Sequence, residues 1–470
     1  MRLNLKFDRL SIFSLLWAVA TLFHIISFPA NSLSNPFAWG TAFFALLLLF
    51  RPQSMLLLMV MLFFSICKTV SWMPFPPNHI VFELILNIGI LIALIYKFSS
   101  HFSKKLTPQH REELFNAFAP LTRMALLILY FYAVLHKLNT DYLNPAISCG
   151  TVLLNGIRLN GFSFIPDNQF LKLSAIYGTL ILESAIPFFL CIRKTRSLGI
   201  MLGLALHFFL ALHPHDGLVS FSVLLFSMFF LFTPADFPDK LKSTINNIIQ
   251  GKKQYVKPFL FLALISIILL IFILININRT SRLDLLVFDT WCAWGLFLIV
   301  IYLTVTFSEN FSDSETRNFF QLKPVFWIFP ITIFLNGASP YLGLKTETSF
   351  SMFSNLRTEG RITNHLFMPL SLHLTNWQED LVEIKQTDLK PLEQYIINNQ
   401  LITFFEFQRI IRKNVNHDFH VAYNRNRKSY KLKIEQGKIN SLDSISQIPY
   451  LLTKIMHFRP IDKGACLCKH

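Results

Sequence analysis

Charged residues are scarce in this chain. Only 15% of its 470 residues are Asp, Glu, Lys or Arg, whereas 53% are hydrophobic and 50 are Phe. Soluble globular domains carry about a quarter charged residues, so this balance, with repeated uncharged runs of membrane-spanning length, excludes that class and predicts a helical membrane protein. Acidic residues are scarcer than basic ones, 27 against 43, which leaves a net charge of +16. The Lys and Arg residues fall mostly at the ends of apolar runs and in the C-terminal tail, and no helix bears a basic stripe. Anionic lipid headgroups are therefore the expected counter-charge, and nucleic acid is not an expected partner. Cysteine is sparse as well. Of the six, Cys67, Cys191 and Cys292 lie in or beside apolar runs and read as packing residues, leaving Cys149, Cys466 and Cys468 chemically open. No internal repeat or low-complexity segment is present. No convincing small-residue cleavage site follows the first apolar run, so the stretch after Arg2, Lys6 and Arg9, up to Pro29, reads as a membrane helix and not as a removed signal.

Further apolar segments lie at roughly 36–50, 54–72, 79–97, 120–138, 170–192, 197–213, 216–233, 258–277, 287–307 and 324–341. The expected fold is an all-α polytopic membrane bundle of about eleven transmembrane helices over residues 1–341, the segment at 36–50 being near the lower limit for a span. With the N-terminus in the cytoplasm, inside loops receive Arg51, then Lys97, Lys104, Lys105 and Arg111, then Arg193, Lys194 and Arg196, then five Lys between 240 and 257. Outside loops receive almost none before Arg279, so the positive-inside rule supports this orientation. An odd number of spans then places residues 342–470 outside the cytoplasm.

That C-terminal part reads as a small α+β unit. Residues 366–374 and 381–385 alternate like strands, and 392–413 reads as one or two helices. Segments 418–423 and 429–434 flank a turn at 424–428, which predicts a hairpin, and 448–458 reads as a final short helix. The closing Cys-Leu-Cys-Lys-His offers two thiols and an imidazole, for which a frayed terminus is expected in preference to a redox or metal-capturing tail.

Ionisable groups inside apolar runs mark where chemistry could reside, because charge at membrane depth is costly unless it is paired or used. The stretch 129–143 sets His136 and Lys137 against apolar neighbours just before Asn139, Thr140 and Asp141. A snorkelling lysine is the alternative to a working one. Asn78 and His79 follow Lys68 and a proline-rich turn, where they either cap the next helix or join a site. Glu183 lies well inside the run 170–192, where it is either a site residue or a neutral interhelical glue. His207 lies within 197–213, and His213, His215 and Asp216 mark its outer turn. No metal site is predicted there, since the spacing lacks the i, i+4 pair that puts two ligands on one helical face; a capped, solvated turn is expected. Between the two halves, 139–169 is of mixed character, with Gly150, Gly156 and Gly161, and could cover the site from outside.

The order Asn-His at 78–79, Ala-Val-Leu-His-Lys-Leu-Asn-Thr-Asp-Tyr from Ala133, Leu-Ile-Leu-Glu from Leu180, Arg-Ser-Leu-Gly followed by His207, and a later Ser-Phe-Ser-Met-Phe-Ser at 349–354 resembles the membrane domain of the vitamin K-dependent gamma-glutamyl carboxylase family, known in bacterial relatives as the horizontally transferred transmembrane (HTTM) domain. The resemblance covers roughly residues 10–354. Most specific are the Lys-Leu-x-x-Asp-aromatic run at Lys137 to Tyr142 and the spacing from Arg196 to His207. It implies lyase and oxygenation chemistry in which Lys137 is the base that deprotonates a reduced, vitamin K-like quinone, with His79 assisting and Glu183 and His207 in support or proton relay. Asn78, His136 and Asp141 would line the place of this lipophilic cofactor. Elementary physics agrees: desolvation disfavours the charge of an ammonium, so a Lys at an apolar helix end is suited to act as a base. The chain departs from the carboxylase in having His136 in place of a second Lys, Tyr142 in place of Trp, and a short tail where the carboxylase has a long lumenal portion for its peptide substrate. The competing expectation is a non-catalytic protein of the same fold that binds or moves a lipid, with Lys137, His79 and His207 as headgroup contacts. An acid as deep as Glu183 favours the enzyme.

Overall fold

The computed structural model describes residues 8–98, 107–277, 282–308, 319–369, 372–441 and 443–468. In chain order the helices of the first part are α1 (Arg9–Ser27), α2 (Pro29–Leu33), α3 (Pro36–Phe50), α4 (Met55–Trp72), α5 (Asn78–Phe98), α6 (Pro108–Leu135) and α7 (Cys149–Leu159). There follow α8 (Gln169–Cys191), α9 (Arg196–Leu210), α10 (Asp216–Phe230), α11 (Phe237–Ile249), α12 (Lys253–Asn276), α13 (Arg282–Ser308) and α14 (Ile328–Ala338). Many start as the sequence chemistry dictates. Asp8, Ser54 and Asn168 each accept a backbone N–H of the first turn of α1, α4 and α8, and Asn35 followed by Pro36 opens α3 in the same way.

Seven of these helices, α1, α4, α5, α6, α8, α12 and α13, are long and apolar enough to cross a membrane. The four remaining segments expected as spans fold into helices of 15, 15, 15 and 11 residues, α3, α9, α10 and α14. At 1.5 Å per residue these reach about 16–22 Å, short of a hydrocarbon core about 30 Å thick. The apolar runs were long because they include the turns that end the helices, such as Ala211 to His213 after α9.

The helices pack side by side, α1 on α3 and α10, α5 on α4 and α6, α6 on α8 and α14, and α9 on α8 and α10. α10 is the core element: from Gly217 to Phe230 every residue but Phe221 is buried. At the other extreme α12 buries only Ile273 and turns the rest of its apolar surface outward, as a lipid-facing helix would. Close approach depends on small residues, for a Cβ at Gly337 would collide with the Tyr132 ring where α14 crosses α6. Gly199 similarly lies against the Leu190 backbone, and Arg196 Nε donates to the Leu190 carbonyl at 3.1 Å. The Arg-Ser-x-Gly run thus joins α8 to α9.

After α14 the chain forms an irregular loop over the end of the bundle where α5 begins and α6 finishes. Thr348, Phe350, Phe353 and Asn355 have φ between 54° and 65°, a costly conformation for β-branched and bulky residues. Buried contacts offset that cost. The Phe350 N–H donates to Asn78 Oδ1 at 2.6 Å, its carbonyl faces His136 Nδ1 at 3.2 Å, and its ring meets Phe82 edge-on.

The C-terminal unit contains β1 (Leu381–Thr387), α15 (Lys390–Ile397), β2 (Gln400–Thr403), α16 (Phe404–Lys413), β3 (Phe419–Arg425), β4 (Lys428–Glu435), β5 (Lys438–Ser441), α17 (Tyr450–Ile455) and β6 (Ile461–Asp462). The strands form one antiparallel sheet in the order β5-β4-β3-β1-β2-β6. The expected hairpin is β3–β4, its turn made by Asn426 and Arg427, both with positive φ as a two-residue hairpin turn of primed type requires. Alternate residues Val421, Tyr423, Leu432 and Ile434 pack with Phe407 and Ile411 of α16 into a separate core.

Two expectations for this part fail. Within 366–374 the described residues hold no strand, because the chain crosses the bundle's end, touching it through the Asn139–His365 bridge. Up to Cys468, the last described residue, the tail is not frayed: Cys468 is disulfide-bonded to Cys149 at the start of α7, and Asp141 Oδ2 accepts the Cys466 N–H at 2.8 Å. The buried Arg459–Glu359 pair, 2.8 Å apart, fixes the same segment to the loop.

Candidate functional site

α6 ends one residue before the motif it was expected to carry. His136 is its C-cap, so Lys137 sits in the turn beyond the helix, held by its N–H donating to the Val134 carbonyl at 3.0 Å. Asn139 fixes this turn. Its amide donates to the carbonyls of His136 and Ser354, both at 2.7 Å, and its oxygen accepts the Tyr142 N–H at 2.8 Å. The Lys137 ammonium is thereby aimed at α8, where it donates to both carboxylate oxygens of Glu183 at 2.6 and 2.8 Å. Its third donor reaches the Ala133 carbonyl at 3.2 Å. Both residues are buried, and the Tyr142 ring centroid lies 6.0 Å from the ammonium.

A buried ion pair of this kind is weak evidence for stability, since desolvation consumes much of the attraction. What it does chemically is put an amine and a carboxyl within proton-sharing distance in an apolar surround. His207 of α9 lies within electrostatic reach of Lys137, and its Nε2 is 2.8 Å from the Tyr130 hydroxyl, itself within reach of Glu183. Lys137, Glu183, Tyr130 and His207 therefore form one cluster built from α6, α8 and α9.

His79 belongs to a second cluster. Its Nε2 lies 2.8 Å from Ser220 Oγ on α10. The ring packs beside His24 of α1, whose Nδ1 is 2.6 Å from Glu83 and whose Nε2 is 3.1 Å from the Ser220 carbonyl. Asn87 donates to Glu83 at 3.2 Å, and the buried Lys68 is within electrostatic reach of both Glu83 and His79. Among the described residues the Lys68 ammonium has no hydrogen bond to protein. The two clusters meet at Phe221, whose ring lies 5.4 Å from that of His207 and 5.8 Å from that of His79. Phe221 is also the one residue between Gly217 and Phe230 that is only partly buried. On either side of it a buried imidazole nitrogen, Nδ1 of His79 and Nδ1 of His207, has no hydrogen-bond partner among the described residues. Orphaned buried polar atoms cost about 1–3 kcal/mol each unless water or a ligand meets them.

No family model, no curated protein and no solved structure matches this chain.

The three residues expected to line a cofactor each hydrogen-bond to protein. Asn78 reaches across to the Phe350 N–H and does not cap its own helix. The His136 ring lies between two backbone carbonyls, of Phe350 and of Gly337 at 3.0 Å. Asp141 accepts from Asn364 at 2.9 Å and from Cys466. At the turn after α9, His215 caps α10 through the Gly217 N–H, as expected of a capped turn. His213 differs from that expectation in being buried, packed where a Cβ on Gly156 would meet it. Among the described residues no group of three His, Cys, Asp or Glu side chains could hold a metal ion. In the segment 139–169 turns lead into the helix α7, tied to α8 by packing and to the tail by the disulfide.

Sequence reasoning missed His24 and Glu83, and passed over Lys68. The signal was present, for each stands in an apolar run as Glu183 does. What was not visible was their convergence, which depends on α1, α4, α5 and α10 packing around one point.

Proposed function

We propose that this chain is an integral membrane enzyme of the gamma-carboxylase-like kind, in which Lys137 acts as base toward a lipophilic, quinol-like substrate. The observation that carries the proposal is the buried Lys137–Glu183 pair beside a histidine with an unpartnered nitrogen. The pair has two forms, an ammonium with a carboxylate or, once the proton has crossed the 2.6 Å hydrogen bond, a neutral amine with a carboxylic acid. In the neutral form the Glu183 acid hydrogen-bonds to the Lys137 lone pair; a substrate hydroxyl that displaces the acid from the amine gives its proton to that lone pair, while Glu183 keeps its own. The resulting ammonium and anion form a contact ion pair from which the substrate anion reacts onward with an acceptor, for which the family resemblance suggests oxygen. His207 and His79, either side of Phe221, offer ring nitrogens to the polar atoms of an otherwise apolar ring. The loop with strained residues Thr348 to Asn355 covers the end of α6 and keeps bulk water from the pair.

In the membrane we place the N-terminus in the cytoplasm and residues 342–470 outside, with about eleven apolar segments of which α3, α9, α10 and α14 complete the bundle as shorter elements. The Lys and Arg distribution supports this orientation. So does the Cys149–Cys468 bond, since disulfides persist in oxidising compartments and both cysteines fall on the outer side.

One observation favours the non-catalytic alternative, a lipid-binding protein of the same fold: all three Lys137 donors are already taken. The test that separates the two is consumption of a reduced quinone by purified protein in lipid, with Lys137→Met and Lys137→Arg. A base fails in both, because Arg keeps the charge but does not give up its proton. Full activity in the Arg variant would remove Lys137 from the chemistry.

A further inference from the structure

The turn between α4 and α5 and the C-terminal unit enclose a groove of about 960 Å³, lined by none of the site residues above. Its membrane-side wall is Met73 to Phe75, and its opposite wall comes from α15, α16 and α17. Four of its lining side chains are cations, Arg409, Arg412, Lys413 and Lys454, and one is a carboxylate, Glu406. Four less one leaves +3, and Glu406 is already matched by Arg409, whose Nε is 2.7 Å away. Burial moreover pushes the Glu406 carboxyl up to about 7, and it pushes His457 down to about 3, so neither imidazole nor acid alters the sign. Lys413 makes no hydrogen bond to protein among the described residues and lies over the Phe75 ring at 5.8 Å; the Arg409 guanidinium is 4.7 Å from that ring's centroid. Arg412 spends one donor on the Ile445 carbonyl.

The groove is placed at the level of a membrane surface. Lys454 Nζ donates to the Met73 carbonyl at 3.2 Å, which seats α17 directly on the end of α4, a helix of membrane-spanning length. There α17 exposes Tyr450 and Leu451, 77% and 66% accessible; Tyr450 shares the groove with Phe75, 48% accessible, and Val70 in the last turn of α4 is 52% accessible. An apolar face bordered by cations at the end of a spanning helix is the composition of an element that lies in the interface between headgroups and acyl chains.

We propose that this groove binds an anionic phospholipid, its phosphate held by Arg412, Lys413 and Lys454 and its acyl chains lying along Val70 of α4 and the exposed face of α17. The inference rests on the membrane placement of α4 and α5 and not on the chemistry assigned to Lys137. An acidic peptide would satisfy the cations, but it gives no reason for the apolar surface running from the groove down α4.

The full chain in mild detergent is titrated with phosphatidylglycerol or phosphatidylcholine and followed by native mass spectrometry. The wild type is expected to retain phosphatidylglycerol in preference to phosphatidylcholine. The triple variant Arg412→Gln, Lys413→Gln, Lys454→Gln should bind phosphatidylglycerol at least about tenfold more weakly, a change of about 1.4 kcal/mol. Arg412→Gln alone, an exposed change that leaves the Lys454 tether intact, should show a smaller loss in the same direction, and Lys428→Gln with Lys431→Gln on β4 should show none. Equal retention of the two lipids by the wild type, or unchanged retention in both groove variants, would overturn the proposal. So would displacement of the lipid by inorganic phosphate or by a glutamate-rich peptide at the lipid's own concentration, because either would show a site for a soluble anion.

Discussion

Removing one partner of the Lys137–Glu183 pair should harm the fold more than removing both. Among the described residues the hydrogen bonds of Glu183 come from Lys137 alone, and the residue is only 8% exposed. Lys137→Met keeps most of the apolar stem but leaves an acid with no donor, which for buried pairs costs about 3–5 kcal/mol. Glu183→Leu leaves the ammonium with the Ala133 carbonyl as its hydrogen-bond acceptor and should cost a similar amount. The double variant replaces the pair by two apolar side chains of similar volume, a change that is commonly neutral or stabilising. The singles should therefore not add, and the double should recover most of the loss. For a chain this long about 2 °C per kcal/mol is an upper estimate, so each single variant should lose up to about 6–10 °C in thermal unfolding followed in detergent. Unchanged melting temperatures in both single variants would show that the two charges are separately solvated, and the site argument would fall with them.

Topology is checked by fusing a reporter after Tyr341, expected outside, and another within 243–250, expected in the cytoplasm. A cytoplasmic signal from the first would mean that an odd number of segments has been misassigned, beginning with 36–50. Cys149→Ser should free residues 463–468 to carboxypeptidase and lower stability by about 2–4 kcal/mol, and a reductant that does not cross membranes should reproduce the effect in intact cells; resistance to both would refute the tether. Lys345, buried beside Thr348 Oγ1 at 2.9 Å, has its amine pushed down to about 8 by burial. A depressed folded value means that its favourable contribution is complete above the unfolded value and is lost as pH falls through about 8. Lys345→Met should consequently raise the melting temperature at pH 7 and lose that advantage as pH approaches 10, whereas an equal effect at all pH would contradict the burial argument. Gly337→Ala should cost about 1–3 kcal/mol by forcing the Tyr132 ring away from α14, measured by thermal unfolding.

Much of this architecture is written in local pattern. Composition and run length suffice for a mostly helical chain with several helices of membrane-spanning length, for the change of character near Tyr341 and for Lys137 and Glu183 as ionisable groups in apolar surroundings, because each depends on neighbours along the chain. The β3–β4 hairpin is legible for the same reason, alternation either side of a polar turn. Run length, however, measures apolarity and not helix length. Segments 197–213 and 216–233 keep their apolar character through the turns that end α9 and α10, and only the backbone hydrogen bonds show that each helix has 15 residues. Tertiary structure alone decided the partners. Glu183 meets Lys137 because α8 lies against α6, His79 is separated from Lys137 into the His24 and Glu83 cluster because α10 passes between α1 and α9, and Cys468 finds Cys149 across 319 residues. Charge inside an apolar run announces that a partner must exist, since isolated burial is too costly; which partner it is follows from the packing of helices, and packing is a property of surfaces that no single run contains.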